Sequence, residues 1–253
     1  TGCGSKENSE SEKKADESVK YGKIIIENKT GKTLIQTVSK SNSYPFNTYM
    51  ITSKSGESVI LDPTEMPKKE EVDFKPAAIV STHSHPDHID NIYRKSYHDT
   101  PQLLFKPGTL ETKDFKITNI ASSHMGDDIN ETNPTNAITI VEVDGLRIVH
   151  MGDCGQTSLT DDELKQIGKV DVMITQFNNS YSNMTIESNM GNNLVDQVKP
   201  AIVIPTHYAI NDLTVLAKKY GEIKEFDTTL ELTKDDIPKD GPVMYRILNS
   251  QVK

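Results

Sequence analysis

The chain has no tryptophan, and its nine tyrosines and six phenylalanines are spread thinly over 253 residues; nothing in it reads as a platform on which bases could stack. Basic residues are outnumbered, 28 against 37 acidic ones, for a formal charge of −9. That balance argues against a nucleic-acid partner, whose phosphates need a basic face. No apolar run approaches the roughly eighteen residues that a bilayer-crossing helix needs. Cysteine is confined to Cys3 and Cys154, one in a polar amino-terminal stretch and one in a loop. No disulfide is expected between them, and the thiol count does not fix the redox compartment. With the first twenty residues set aside, roughly 230 remain, enough for one large α/β core and too few for two enzymatic domains.

Histidine and aspartate, by contrast, are concentrated. The run Thr82-His83-Ser84-His85-Pro86-Asp87-His88-Ile89-Asp90 holds three imidazoles and two carboxylates, donors that zinc, iron or manganese accept. Ala77 to Ser81 before it is short and apolar with β-branched residues, so a buried strand is expected to end where the histidines begin. On such a strand-to-helix turn His83 and His85 can point to one side, while Asp87 and His88, carried past Pro86, face a second point. That geometry suits two metals. Candidates for further ligands follow other strand-like runs: His124 after Phe115 to Ala121, Asp153 after Leu146 to Val149, and His207 after Ala201 to Ile204. Each lies just past a strand end, where loops gather over a sheet edge and sites are usually built.

The order His-x-His-x-Asp-His, a single His, Gly-Asp and then Thr-His resembles the metallo-β-lactamase superfamily. Within it, "VEVDGLRIVHMGDCGQTSLTDDELKQIGKVDV" and "VKPAIVIPTHY" are similar to the branch of zinc-dependent hydrolases that includes the ascorbate-phosphate lactonases. The similarity spans about residues 21 to 253. It implies an α/β protein with a four-layer αββα sandwich. It further implies that His83, His85 and His124 hold one metal, that Asp87, His88 and His207 hold the other, and that Asp153 bridges them. Asp62, in Val59-Ile60-Leu61-Asp62-Pro63, matches the strand-end aspartate that the family places behind the site. The far ring nitrogens of the histidines need hydrogen-bond partners, for which Asp90, Ser81, Ser84 and Asp62 are the candidates.

Two divalent ions bridged by a carboxylate, zinc first among them with manganese or iron as alternatives, can share a water. They lower its pKa and aim the hydroxide at a carbonyl or phosphorus. Asp87 is placed to orient or shuttle the proton, so Asp87 and Asp153 are the candidate catalytic residues. The expected activity is metal-dependent hydrolysis of a small-molecule lactone, ester, amide or phosphodiester. An iron oxidoreductase of the same fold and a non-catalytic surface lipoprotein are the alternatives, the second of which would be expected to lose ligands. Superfamily members that process nucleic acid usually carry an added domain or arm, and β-lactam-resistance enzymes generally lack an aspartate where Asp153 stands.

The chain departs from the family in two places. Relatives often have a histidine two residues after the Gly-Asp where Gly155 is followed here by Gln156, so a substrate contact is expected to be missing. A Pro-x-Gly-Gly turn is replaced by Thr175-Gln176-Phe177-Asn178-Asn179-Ser180. Asn178 and Asn179 either take positive φ in place of the glycines or touch the substrate. Four other residues read quietly: His98 as exposed, His150 as strand-end packing, Cys154 as a small buried hydrophobe, and Tyr208 as either a substrate donor or a pocket cap.

Thr1-Gly2-Cys3-Gly4-Ser5 looks like the tail of a bacterial lipoprotein signal, and Lys6 to Lys20 has the Ser, Glu and Lys composition of a flexible tether. A lipid on Cys3 would hold the protein extracytoplasmically at the cell membrane. Strands are predicted at Lys23–Glu27, Thr33–Val38, Thr48–Thr52 and Ser58–Leu61 as an antiparallel meander, continued near 78–82, 115–121, 136–143 and 146–150. Asp144-Gly145 marks a hairpin. Helices are predicted at 87–94, 161–167 with Thr160 to Glu163 as a capping pattern, 189–198 and 211–219.

Overall fold

The computed structural model describes residues 27–42 and 47–252. The expected tether with Cys3 and nearly all of the first predicted strand lie outside those residues. In the opening half the strands are β1 (Thr33–Gln36), β2 (Tyr49–Thr52), β3 (Ser58–Leu61), β4 (Ala78–Ser81), β5 (Gln102–Leu104), β6 (Gly108–Glu111) and β7 (Phe115–Ser122). Then come β8 (Asn136–Val143), β9 (Leu146–His150), β10 (Val172–Gln176), β11 (Ile202–Thr206), β12 (Lys224–Phe226), β13 (Thr229–Leu232) and β14 (Val243–Ile247). The helices are α1 (Asn91–Ser96), α2 (Asp161–Ile167), α3 (Met190–Val198) and α4 (Asp212–Tyr220).

The strands form two sheets, one ordered β13-β1-β2-β3-β4-β5 and the other β12-β14-β11-β10-β9-β8-β7-β6. Successive strand residues point to opposite faces, and here both faces are apolar. Val59, Leu61, Ala78 and Val80 meet Val172, Ile174, Ile202 and Ile204 between the sheets. The intervening Ile60 and Ile79 pack outward against Tyr93 and Tyr97 at α1. Met173 and Val203 pack outward against Ile167, Leu194 and Leu216 of α2, α3 and α4. Each such aliphatic side chain contributes about 1.5–3 kcal/mol when fully buried. Both sheets must therefore be covered on the outside by helices, which gives the helix–sheet–sheet–helix layering of an α/β sandwich. Among the described residues no helix is long and apolar enough to cross a membrane.

The local signals act as read. Thr160 and Glu163 make a reciprocal capping box on α2, and Asp144 and Gly145 both take positive φ, 52° and 75°, as a two-residue type I′ hairpin requires. The meander continues less far than expected. β1, β2 and β3 are antiparallel neighbours, but β4 lies parallel to β3, and the strands from 115 to 150 belong to the second sheet. The helix expected from residue 87 starts at Asn91, because Asp90 in extended backbone accepts from Tyr93 N and caps it, leaving the ligand run as a loop.

Parallel pairing gathers the site. The carboxyl ends of β3 and β4 lie side by side, as do those of β9, β10 and β11. Ala137 N donates to Thr82 O at 2.8 Å, joining the two sheets at that rim.

Candidate metal centre

Seven side chains predicted from scattered loops converge at this rim. Ligand atoms of His83, His85, His124 and Asp153 all lie within 4.8 Å of one another, and so do those of Asp87, His88, Asp153 and His207. Asp153 belongs to both groups, and its two oxygens divide the work. Oδ2 lies 3.3 Å from His83 Nε2 and 3.2 Å from His124 Nε2, whereas Oδ1 lies 3.0 Å from His88 Nε2 and 3.1 Å from His207 Nε2. Asp87 Oδ2 completes the second group, 3.3 Å from His88 Nε2 and 3.4 Å from His207 Nε2.

Surrounding groups fix three of the five rings. Asp62 Oδ2 meets His88 Nδ1 at 2.6 Å and accepts from Thr82 Oγ1 at 2.7 Å, while its Oδ1 accepts from Thr82 N at 2.8 Å. Thr82 Oγ1 in turn lies 3.0 Å from His83 Nδ1, and Ser182 Oγ 3.3 Å from His124 Nδ1. Of the other partners expected from sequence, Asp90 caps α1 and Ser81 Oγ donates to His88 O. The backbone bends sharply at the site, with φ of 49° at Asp62 and 40° at His207, values that non-glycine residues adopt mainly where surroundings enforce them. Gly152, at φ 57°, could not be otherwise: a Cβ there would sit 2.5 Å from Asn136 Oδ1 and 2.6 Å from Thr82.

Two charges dominate the electrostatics. Burial alone would raise the Asp153 carboxyl, but the imidazoles around it, His88 foremost, hold it well below the usual carboxylate range. Burial likewise opposes charge on His207, yet hydrogen bonding to Asp153 and then Asp87 pushes it up to about 9. His83 goes the other way, down to about 4, through burial and repulsion from His88. Three carboxylates thus draw positive charge into a buried pocket. Among the buried atoms, His83 Nε2 and Asp153 Oδ1 have imidazole or carboxylate neighbours within 3.3 Å but no well-oriented hydrogen bond, an arrangement that native interiors rarely tolerate without a further ligand. Convergent imidazole nitrogens and carboxylate oxygens with such orphaned atoms fit a divalent cation of the zinc, manganese or iron type.

The departures from the family pattern resolve into structure. Gln156 is fully buried; its Oε1 accepts from Ser123 N at 3.0 Å and its Nε2 donates to Glu163 Oε1 at 2.8 Å, so it braces the loop that carries His124 and faces away from the cleft. Asn178 and Asn179 do not take positive φ. Asn179 Nδ2 donates to Asp153 Oδ2 at 3.0 Å, and Asn178 Nδ2 donates to Asp212 at 2.9 Å. Cys154 is buried in the core, where desolvation pushes its thiol up to about 12. His98 is exposed beside Asp99. Tyr208 Oη accepts from Arg246 Nε at 2.9 Å at the cleft wall.

His150 does more than pack. Its Nδ1 accepts from Gly152 N at 2.9 Å, so Nε2 carries the proton and donates to Asn47 O at 2.9 Å. Asn47 Nδ2 then donates to Asp87 O at 3.2 Å and to Asp87 Oδ2 at 3.1 Å. Asn47, Asn136, Thr82 and Ser182 carry no distinguishing signal in the sequence. Their types are common polar residues, and their partners lie on other strands.

Residues 42–207 match the family model of the beta-lactamase superfamily domain. The chain belongs to this superfamily. The superfamily's metallo-β-lactamase fold recurs in solved structures. One is a candidate Zn-dependent hydrolase of the metallo-β-lactamase superfamily from Thermotoga maritima, 17% identical, covering 86% of this chain and 100% of its own, with a TM-score of 0.61. Another is a candidate metal-dependent hydrolase from Parabacteroides distasonis, 19% identical, covering 88% and 97%, with a TM-score of 0.55. A third is the diiron β-hydroxylase CmlA from Streptomyces venezuelae, 9% identical, covering 86% of this chain and 53% of its own, with a TM-score of 0.53. At these identities the superfamily's fold is what is shared. No curated protein matches the sequence.

Proposed function

We propose that the protein is a metal-dependent hydrolase holding two divalent ions, zinc before manganese or iron. His83, His85, His124 and Asp153 would hold one, and Asp87, His88, His207 and Asp153 the other. The observation that carries this reading is the division of Asp153, one carboxylate oxygen toward each cluster of imidazoles. When bound, such a pair supplies Lewis acidity at the scissile group and acidifies water to near-neutral pKa.

The chain's own residues prepare the site for that chemistry. Asp62, Thr82 and Ser182 keep the far ring nitrogens engaged, so that Nε2 of His83, His88 and His124 points inward. Asn179 and Asn47 hold the two carboxylates from outside. Asp87, partly exposed at the cleft wall and held well below the usual carboxylate range by His207 and His88 against the pull of burial, orients the water or shuttles its proton toward the leaving group. The substrate is a lactone, ester, amide or phosphodiester. Likeness to the ascorbate-phosphate lactonases supports the lactone, and it rests on sequence motifs.

Elemental analysis of protein grown with both zinc and iron, followed by assays on chromogenic esters, lactones and bis-nitrophenyl phosphate with and without chelator, tests this. Asp153→Ala and His85→Ala should each lower bound metal and abolish turnover with the fold retained; full activity in both contradicts the assignment. Bound iron with dioxygen consumption and no hydrolysis would place the chemistry beside the hydroxylase that shares the fold.

A further inference from the structure

The cleft that opens onto the cluster has a volume of about 710 Å³. Its polar wall is uncharged away from the metal-binding groups: Asn47, Asn178, Asn179 and Ser180 with the tyrosines Tyr181 and Tyr208, and among the described lining residues no lysine or arginine. Arg246, behind the lining Tyr208, is engaged by Tyr208 Oη and Glu225.

Apolar side chains gather near its mouth. Exposed hydrophobic side chains are informative where they collect in one place, and three of the four most exposed among the described residues line the cleft or adjoin a residue of the site. Tyr181 lines the cleft and is 79% exposed; Ile210, 68% exposed, follows the lining residue Ala209; Met125, 62% exposed, follows His124. The His124 ring lies 4.7 Å from that of His85 in the cleft wall. Neither Ile210 nor Tyr181 is needed for the core, since both lie outside the clusters that hold the sheets and helices together. Neutral amide and hydroxyl groups inside, with apolar surface at the mouth, match a ligand that has a polar carbonyl head and an apolar tail.

We propose that the substrate is an uncharged carboxylic ester or lactone bearing an apolar acyl or alkyl chain, its carbonyl at the metal cluster and its chain against Tyr181, Ile210 and Met125. This deepens the hydrolase reading and rests on it for the reaction, though not for the binding. In the reaction, water's oxygen bonds to the acyl carbon, the acyl C–O bond breaks, and one proton passes to the departing alkoxide, giving an acid and an alcohol.

Two measurements test it. The first is isothermal titration with alkyl methyl ketones, butanone to decanone, which no hydrolase cleaves. The second is kcat/KM of the metal-loaded protein for p-nitrophenyl acetate, butyrate, octanoate and, as the anionic comparison, bis-nitrophenyl phosphate. A methylene fully removed from water gives about fourfold in affinity, and on a rim open to water on one side about twofold is expected. Octanoate should therefore exceed acetate, and decanone exceed butanone, by at least about tenfold. Tyr181→Ser and Ile210→Ser, at exposed positions that leave the core intact, should flatten both slopes.

Slopes that are flat in the wild type, or unchanged in both variants, overturn the proposal. So does a phosphodiester cleaved faster than every ester, which leaves the hydrolase reading intact. Chain-dependent ketone binding with no hydrolysis of any ester or phosphodiester would sink the hydrolase reading and keep the apolar acceptor.

Discussion

Removing a bound metal should leave a protein whose stability falls as the solution becomes alkaline, with His88 and His207, both raised above their ordinary range by the neighbouring carboxylates, carrying the effect. His207 Nε2 lies 3.1 Å from Asp153 Oδ1 and 3.4 Å from Asp87 Oδ2, and with no cation competing, those carboxylates outweigh burial and push it from 6.5 up to about 9. Below pH 6.5 both folded and unfolded chains carry the His207 proton, and the stabilisation is fully present. Between 6.5 and 9 the unfolded chain has lost the proton while the folded one holds it, so stability declines with rising pH until the folded state also deprotonates. At 1.36 kcal/mol per pH unit, the shift from 6.5 to about 9 corresponds to about 3 kcal/mol. His83 does not interfere, because its depressed value, about 4, acts on stability below pH 6.5.

The assay is urea denaturation of chelator-treated protein at pH 6.5 and 9.5, with His207→Gln treated identically so that titrations independent of His207 cancel. Wild type should lose about 3 kcal/mol more than the variant across that interval. Metal-loaded protein should show the opposite slope over the same range, because a bound cation needs the neutral imidazole and competes with its proton. Parallel pH dependence in chelated wild type and His207→Gln would refute the charge assignment of the cluster.

Asp62→Asn keeps the volume beside His88 but removes the buried charge on its Nδ1; affinity for zinc, measured by competition with a chromophoric chelator, should drop about 10–100-fold, and an unchanged constant would remove Asp62 from the site's support. Gly152→Ala, at φ 57° with Asn136 and Thr82 in the way, should cost more than Gly145→Ala, at φ 75° with open space around it. The backbone penalty of about 1–2 kcal/mol applies to both, so a larger Tm loss together with lower metal content at Gly152 is the expected signature. The Cys154 thiol, buried and pushed up to about 12, should resist Ellman's reagent in native Cys3→Ser protein and react fully after denaturation.

Much of this site is legible in the chain, for a reason its strands make plain. A strand buried on both faces reads as an unbroken apolar run, so Ala78 to Ser81, Leu146 to Val149 and Ile202 to Thr206 announce their own ends, and a histidine or aspartate standing just past such an end stands at the rim. The same double burial hides the pairing. With both faces apolar, nothing in β4 says whether it runs parallel to β3 or continues a meander, and nothing in β8 says it belongs to a different sheet from β3. Short half-exposed strands such as β5, β6 and β12 carry too few apolar residues to show a period. The supporting shell is hidden more deeply still. Asn47 meets Asp87 across forty positions, and Asn179, which a glycine-rich turn in relatives suggests as a loop filler, instead holds the shared carboxylate. A ligand is recognisable by its chemistry and its place after a strand. A residue that orients a ligand is an ordinary asparagine, threonine or serine until the two sheets close and bring its partner within hydrogen-bond reach, so Asp62, with a charge to betray it, is legible in the chain and Asn47 is not.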